Sequence, residues 1–85
     1  MLQTIRRLID ENASLSTSAQ DLALNSDLYQ AGLTPFLAIR LMLALEREFD
    51  VEFPERMLNR QSMSSIAAVG DCVRELQRRA VPKAA

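Results

Sequence analysis

The sequence predicts an all-α fold, a four-helix bundle with three long helices, one short helix and a long first loop. Apolar residues recur at helical spacing in three separate stretches, and no stretch alternates apolar and polar residues as a half-buried strand does. The 85 residues are 48% hydrophobic and 25% charged, the composition of a globular domain near the lower size limit for an independent core. We expect a single domain over residues 1–79 and a flexible tail over residues 80–85.

The first helix is predicted from Leu2 to Asn12 or Ala13, because its apolar residues share one face. The next stretch, residues 14–33, is rich in Ser, Thr, Asn and Asp and has no sustained period. A loop of this length requires anchors within a compact domain. We expect a short helical turn near residues 17–22. We also expect five side chains to pin the loop across the core: Leu15, Leu22, Leu24, Leu28 and Tyr29.

The second helix is predicted from Pro35 to Phe49 and is apolar on most of its surface. Thr34 suits the N-cap, because its hydroxyl can accept a hydrogen bond from an amide of the first turn. Pro35 suits the first helical position, because its fixed φ matches the helix and its missing N–H would have no partner there. The expected buried stripe consists of Leu37, Leu41, Leu45 and Phe49, widened by Ile39 and Met42.

The outward face of the second helix has two interpretations. Its apolar residues Phe36 and Leu43 pack into the core, or they form a docking patch rimmed by arginine. A helix that is apolar nearly all round is usually buried on most sides, so the pattern alone leaves both interpretations open. In the second interpretation, the residues that bind a partner are Phe36, Leu37, Arg40, Leu43 and Arg47.

Two further helices are predicted in the last third of the chain. Pro54 fits the first turn of a short third helix, over about Glu55 to Asn59. Ser64 or Ser65 can cap a fourth helix that runs to about Arg79. The apolar seam between the second and third helices could open as a pocket, and the sequence leaves this undecided. The residues of this seam are Leu41, Leu45, Phe53 and Leu58.

Two small residues of the fourth helix have structural interpretations. Gly70 lies inside the helix and costs about 1 kcal/mol relative to alanine, which predicts a close approach of a neighbouring helix. Cys72 is interpreted as a small buried apolar residue and not as a reactive thiol. As the single cysteine of the chain, it allows no intramolecular disulfide and fits a reducing compartment.

Charge and composition argue against several functions. The net charge is -1, which does not suggest a nucleic-acid partner, and the apolar run of residues 36–45 is too short to span a bilayer. The chain has no histidine, and it shows no catalytic triad, Cys–His pair, glycine-rich phosphate loop or metal-ligand cluster. We therefore expect a cytoplasmic, monomeric protein that is not an enzyme and has no metal, membrane or nucleic-acid partner.

Several segments together resemble the acyl carrier protein family. They are D-L-Y at 27–29, A-G-L-T at 31–34, L-M-L-A-L-E at 41–46, F-D at 49–50, E-F-P at 52–54 and S-I at 65–66. The resemblance covers roughly Leu2 to Leu76 and is closest to small stand-alone bacterial carriers. Some of those carriers are loaded with an amino acid by synthetase-like ligases. The resemblance implies a serine at the start of the second helix, bearing a 4′-phosphopantetheine arm whose thiol holds the cargo as a thioester.

The resemblance places Pro35 where the family has its attachment serine. Proline has no hydroxyl and cannot be esterified, so no cofactor is expected on this chain. Thr34 is one residue early and is expected to use its hydroxyl as a cap, which leaves it a weak alternative attachment site. Four serines lie far from the motif, and we expect them to serve in turns or caps: Ser26, Ser62, Ser64 and Ser65.

A second departure concerns the outward face of the second helix, which is commonly acidic in the family. Here the matching positions include Leu37, Arg40 and Arg47, and only Glu46 keeps the acid. The expected partner surface is therefore less basic and more apolar than that of a fatty-acid carrier's partner.

Three hypotheses follow from the resemblance and its two departures. The first is a non-loading carrier paralogue that binds carrier-partner enzymes such as acyl or aminoacyl ligases or transferases. The second is a genuine acyl or aminoacyl carrier, in which Pro35 is an alteration of the natural residue or another residue bears the arm. The third is a structural or regulatory helical module that kept only the fold.

Overall fold

The computed structural model describes residues 1–79, and this part of the chain forms three α-helices and no strand. The helices are α1 (Leu2–Ala13), α2 (Pro35–Phe49) and α3 (Ile66–Arg79). Short 3₁₀ turns complete the secondary structure: Ala19–Asp21, Glu55–Met57 and Arg60–Met63. The all-α class is confirmed, and the bounds of the three long helices agree with those predicted. The predicted flexible tail lies outside the described residues.

The three helices bury their apolar faces in a shared core. The fully buried large side chains are Ile5, Ile9, Leu28, Leu41, Leu45, Met63, Ile66, Val69 and Val73. Each buried side chain of this kind contributes about 1.5–3 kcal/mol relative to exposure. Over residues 1–79, no helix is both long enough and apolar enough to cross a bilayer.

The short helix predicted over Glu55–Asn59 is not an α-helix: a 3₁₀ turn spans only Glu55–Met57, and a second 3₁₀ turn follows at Arg60–Met63. Leu58 ends the first turn, and Asn59 adopts an extended conformation with φ of -143°. The Asn59 side-chain oxygen then accepts the Ser62 N–H at 3.0 Å and caps the second turn. Asparagine often competes with helix hydrogen bonds in this way, so Asn59 interrupts what a longer helix would need. We call residues 50–65 the linker.

Two side chains of α1 anchor the long first loop. The Arg6 guanidinium donates hydrogen bonds to the carbonyls of Ala19 and Leu22, at 2.5 and 2.7 Å. The Asp10 carboxylate accepts hydrogen bonds from the Ser18 hydroxyl and the Ala19 N–H, at 2.9 and 2.7 Å. The 3₁₀ turn at Ala19–Asp21 therefore lies against α1. This turn agrees with the one predicted near residues 17–22.

The second half of the loop is held by the linker and by α3. The Leu28 N–H donates to the Ser64 carbonyl at 2.8 Å, and the Leu28 side chain is fully buried as predicted. Leu24 was predicted to pin the loop with its side chain, but that side chain is 40% exposed. Its backbone makes the connection, because the Leu24 carbonyl accepts the Ala67 N–H at 2.9 Å.

Gly70 lies at the contact between α1 and α3. A Cβ atom at this position would lie 3.3 Å from the Leu2 Cδ2 and 3.8 Å from the Ile5 Cδ1. The first distance is shorter than an ordinary van der Waals contact, so the close helix approach predicted from the sequence is confirmed. Ser65 caps this helix, since its hydroxyl accepts the Ala68 N–H at 3.0 Å.

The hydrogen bonds from Arg6 to the first loop predict that replacing Arg6 lowers the stability of the fold more than replacing its neighbour Arg7. Arg6→Met keeps the apolar stem but leaves two carbonyls without their charged donor, and we expect a loss of about 1.5–3 kcal/mol in the free energy of unfolding. Arg7 makes exposed ion pairs with Glu11 and Glu48, and solvent screens such pairs. Arg7→Met should therefore lower stability much less than Arg6→Met does. Urea denaturation followed by circular dichroism measures the free energy of unfolding of both variants. Equal losses in the two variants would show that Arg6 does not anchor the loop.

Candidate functional site

The start of α2 is built by three consecutive residues. Thr34 is the N-cap, with extended backbone angles, and its Oγ1 accepts the Leu37 N–H at 3.1 Å. Pro35 follows as the first helical residue, and Phe36 as the second. The preceding turn needs Gly32, whose φ of +116° is one that side chains rarely tolerate. The predicted N-cap at Thr34 is confirmed. Pro35, where the resemblance places the attachment serine, is the first residue of a well-formed helix.

Four of the five predicted partner-binding residues lie on the outward face of α2. Phe36 is 69% exposed, Leu43 is 51% exposed, and Arg40 and Arg47 are exposed beside them. The core-packing interpretation of Phe36 and Leu43 is therefore wrong. Leu37 is half-buried and packs against the core, so it offers only part of its surface. The role of this face in binding a partner stays a prediction.

Ile39 is a residue that the sequence pattern misplaced. It was expected to widen the buried stripe of α2, but it is 58% exposed. Leu58 in the linker is similarly exposed, at 57%. Periodicity could not separate these residues from core residues, because apolar side chains occupy both sides of α2. Four of the exposed large apolar side chains thus lie in α2 and the linker: Phe36, Ile39, Leu43 and Leu58.

An open groove of about 580 Å³ separates α2 from the linker. Ile39 and Leu43 line its α2 side, and Leu58 lines its linker side. The buried residues Met42 and Phe53 lie between them. The seam suggested by the sequence therefore opens, but Leu41 and Leu45 are fully buried and do not line it.

Pro35 and Tyr29 lie at one end of this groove, and Arg60 extends its linker side. The Arg60 guanidinium lies over the Tyr29 ring, 3.9 Å from the ring centroid, in a cation–π contact. Burial raises the pKa of the Tyr29 phenol above its ordinary value, Asp27 raises it further, and Arg60 opposes both. The phenol is therefore neutral at pH 7 and can donate a hydrogen bond at the groove's edge.

The serines considered as alternative attachment sites have structural partners. The Ser26 Oγ accepts the Ala23 N–H, and the Ser64 Oγ donates to the Gln61 carbonyl. Ser65 caps α3, and Ser62 is buried against Asn59. Their predicted roles in turns and caps are confirmed, so none of them offers an uncommitted hydroxyl beside α2.

Cys72 lies in α3 and is half-buried, close to Ser62 of the linker. Burial raises the pKa of its thiol above the ordinary value, while a hydrogen bond with Ser62 works in the opposite direction. The thiol is therefore mostly protonated near neutral pH and is a weak nucleophile. This agrees with the interpretation of Cys72 as a small apolar residue. Among residues 1–79, no group of three metal-ligating side chains lies together.

The three-helix fold, the capped start of α2 and the surface beside it define a small carrier-type domain. A family model described as "Phosphopantetheine attachment site" matches residues 3–73. The chain belongs to this phosphopantetheine-binding carrier family, and as a carrier domain it is not itself an enzyme.

The chain is similar to an aminoacyl carrier protein of Agrobacterium fabrum, with 43% identity over 74 residues. The matched segment covers 87% of this chain and 89% of that relative. It also resembles a chain in the crystal structure of an engineered Bradyrhizobium japonicum glycine:[carrier protein] ligase complexed with carrier protein from Agrobacterium tumefaciens and AMP. That match has 43% identity and a TM-score of 0.84, and it covers 87% of this chain and 99% of the other.

A solution structure from Agrobacterium tumefaciens is also similar, with 41% identity and a TM-score of 0.72 over 92% of this chain and 94% of the other. Family membership and the carrier fold, both expected from the resemblance, are thus confirmed.

The start of α2 does not fit covalent attachment of phosphopantetheine. Pro35 has no hydroxyl, and it occupies the position where the resemblance places the attachment serine. Thr34 has the adjacent hydroxyl, but its Oγ1 accepts the Leu37 N–H. Esterification would turn Oγ1 into an ester oxygen, a weaker acceptor, and would weaken the cap. Neither Pro35 nor Thr34 therefore offers an uncommitted hydroxyl at this helix start.

The cap predicts a specific cost for removing the Thr34 hydroxyl. Thr34→Ala should lower the free energy of unfolding by about 1 kcal/mol, because the Leu37 amide loses its acceptor. Thr34→Ser restores an Oγ in the same place and should recover most of that loss. Thermal and urea denaturation of both variants measure the effect. A Thr34→Ser variant as unstable as Thr34→Ala would show that the hydroxyl does not cap α2.

Proposed function

We propose that this protein is a non-loading carrier paralogue that binds an aminoacyl carrier's partner enzyme without bearing phosphopantetheine. The observation that carries the proposal is Pro35 as the first residue of α2. Attachment needs an oxygen nucleophile at that position, and a proline side chain supplies none. No cofactor is then carried by this chain, although phosphopantetheine is the group named in the description of its family.

The local geometry supports a loss of chemistry without a loss of shape. Proline is favourable at the first helical position, because it has no N–H to leave unpaired and its φ is already helical. Thr34 still caps the helix, and the α2 backbone runs unbroken to Phe49. A partner enzyme that docks on the outside of α2 would therefore meet an intact helix.

The relatives support the class of the partner. The similar Agrobacterium fabrum protein is an aminoacyl carrier protein, and the similar Agrobacterium tumefaciens carrier was solved in complex with a glycine:[carrier protein] ligase. We propose that a ligase of this aminoacyl-activating class contacts Phe36, Arg40, Leu43 and Arg47, with part of Leu37.

A second candidate is a genuine aminoacyl carrier with an unconventional attachment residue. The match of the phosphopantetheine family model across residues 3–73 favours it, and so does the exposure of the Thr34 side chain next to Pro35. In this case Thr34 would accept the arm, at the expense of its cap. The two candidates differ in whether the chain gains mass on loading.

Loading by a transferase tests the proposal directly. The protein is incubated with coenzyme A and a broad-specificity phosphopantetheinyl transferase, and its intact mass is recorded. We expect no added phosphopantetheine on the natural sequence, because Pro35 has no nucleophile. We expect one added group on Pro35→Ser, because the helix start is otherwise intact.

A mass gain on the natural sequence would overturn the non-loading proposal. A further Thr34→Val variant would then show whether Thr34 bears the arm. If neither the natural sequence nor Pro35→Ser gains mass, the transferase no longer recognises this surface. Loss of recognition would favour the third hypothesis, a helical module that kept only the fold.

Binding to a ligase tests the partner. Biolayer interferometry measures the affinity of the protein for the Bradyrhizobium japonicum glycine:[carrier protein] ligase. We expect Phe36→Ala to weaken binding by about tenfold, as truncation of an exposed aromatic anchor does. Leu24→Ala removes another exposed apolar side chain, away from α2, and should leave binding unchanged. Absence of binding by the natural sequence would contradict the ligase as the class of partner.

A further inference from the structure

We propose that residues 52–58, the strap, open as one unit while the three helices stay folded, and that Glu46 of α2 and Glu75 of α3 together hold the strap closed. Phe53 and Leu58 of the strap line the groove beside α2, so opening of the strap widens that groove. This property belongs to the isolated chain, and it does not depend on the proposed function.

The strap lies between two positions where the helical backbone is interrupted. Asp50 follows α2 in the left-handed region, with φ of +52°, and Asn59 is extended, with φ of -143°. Within residues 1–79, every hydrogen bond between a strap main-chain group and another main-chain group stays inside the strap, around the turn Glu55–Met57. The strap backbone therefore has no hydrogen-bonded ladder to a helix, and side chains have to hold it in place.

Two carboxylates from different helices make hydrogen bonds to the strap. The Glu46 Oε2 accepts the Phe53 N–H at 2.8 Å, and the Glu75 Oε2 accepts a hydrogen bond from the Arg56 guanidinium at 2.6 Å. The hydrogen bond from Arg56 lowers the pKa of the Glu75 carboxyl, so this group is charged at neutral pH. Hydrogen bonds to charged groups are stronger than those between neutral groups. One carboxylate thus fixes the beginning of the strap to α2, and the other fixes its middle to α3.

Buried apolar side chains also hold the strap closed, but there are few of them. Phe53 and Met57 are buried, whereas Leu58 is more than half exposed even in the closed state. Opening exposes Phe53 and Met57 to water, so the open state is the minor one. Segments with few buried side chains and few main-chain hydrogen bonds to the core are those that open locally before the whole domain unfolds.

The second half of the linker is attached more firmly and limits the opening to the strap. The Asn59 Oδ1 accepts the Ser62 N–H, and both Ser62 and Met63 are buried. The Ser64 carbonyl accepts the Leu28 N–H at 2.8 Å, which joins this half of the linker to the first loop. Opening therefore ends at Asn59, and the turn that follows stays on the core.

Native-state hydrogen exchange, recorded by NMR on the ¹⁵N-labelled 85-residue protein, tests the local opening. We expect the amides of Phe53, Met57 and Leu58 to exchange at least about tenfold faster than those of Ile9 and Leu41, because the strap opens without global unfolding. Low concentrations of urea should hardly change the strap rates, since a small opening exposes little surface. Strap amides as protected as those of Ile9 and Leu41 would overturn the proposal.

Two variants test whether the strap opens as one unit, each read at amides whose own hydrogen bond is intact. Glu75→Gln weakens the contact with Arg56 and should speed exchange at Phe53 about threefold, the size of effect expected for a partly exposed ion pair. Glu46→Ala removes the acceptor of Phe53 and should speed exchange at Met57 and Leu58 about tenfold, because a hydrogen bond to a charged group is lost.

Glu48→Gln is the matched control, because Glu48 is a carboxylate of α2 that pairs with Arg7 of α1 and not with the strap. It should leave the strap rates unchanged, and none of the variants should speed exchange at Ile9. The proposal is overturned if Glu75→Gln leaves Phe53 unchanged, or if Glu46→Ala leaves Met57 unchanged. It is also overturned if Ile9 accelerates as much as the strap, which would mean global unfolding, or if Glu48→Gln acts like the other two variants.

Discussion

The hydrogen bonds from Arg6 and Asp10 to the first loop are the constraint on which the rest of the structure depends. The segment between α1 and α2 contains no α-helix and has to cross the domain before α2 can begin. Arg6 holds the carbonyls of Ala19 and Leu22, and Asp10 holds the Ala19 N–H. With that end fixed to α1 and Leu28 buried in the core, the chain has little freedom in where it places Tyr29 and the start of α2. The outward face and the groove therefore depend on anchors that contribute no residue to either surface.

The start of α2 separates two requirements that coincide in a loading carrier. Docking needs a helix that starts at a fixed place, and attachment needs a hydroxyl at that place. Pro35 meets the first requirement well, because its ring presets a helical φ, and it fails the second completely. In the proposed non-loading role, Pro35 would therefore keep the helix start that a partner enzyme meets and supply no hydroxyl.

The parts of the fold that the sequence predicts well are those set by local chemistry. Thr34 with Pro35 fixes the start of α2, and Gly70 marks the contact of α3 with α1. The parts that sequence reasoning missed depend on distant partners. Nothing in the sequence marks Arg6 as an anchor, because its acceptors are carbonyls 13 and 16 residues away. Residues 55–59 of the linker were predicted as one short helix, because nothing in their apolar pattern shows that the Asn59 side chain will accept the Ser62 N–H.

The position of Ile39 shows why a binding surface on such a helix is hard to recognise from periodicity. α2 has two apolar sides. Leu41 and Leu45 form the side that faces the core and are fully buried, whereas Ile39 and Leu43 form the side that lines the open groove. Both sets recur at helical spacing, so the pattern alone assigns all of them to the core. Arginine is the distinguishing signal, since a guanidinium is rarely buried without a partner. Arg40 lies one helical turn from Phe36 and from Leu43, and these apolar residues share its exposed side of α2. An apolar helix interrupted by arginines is thus better interpreted as having two apolar sides, one packed in the core and one exposed at the surface.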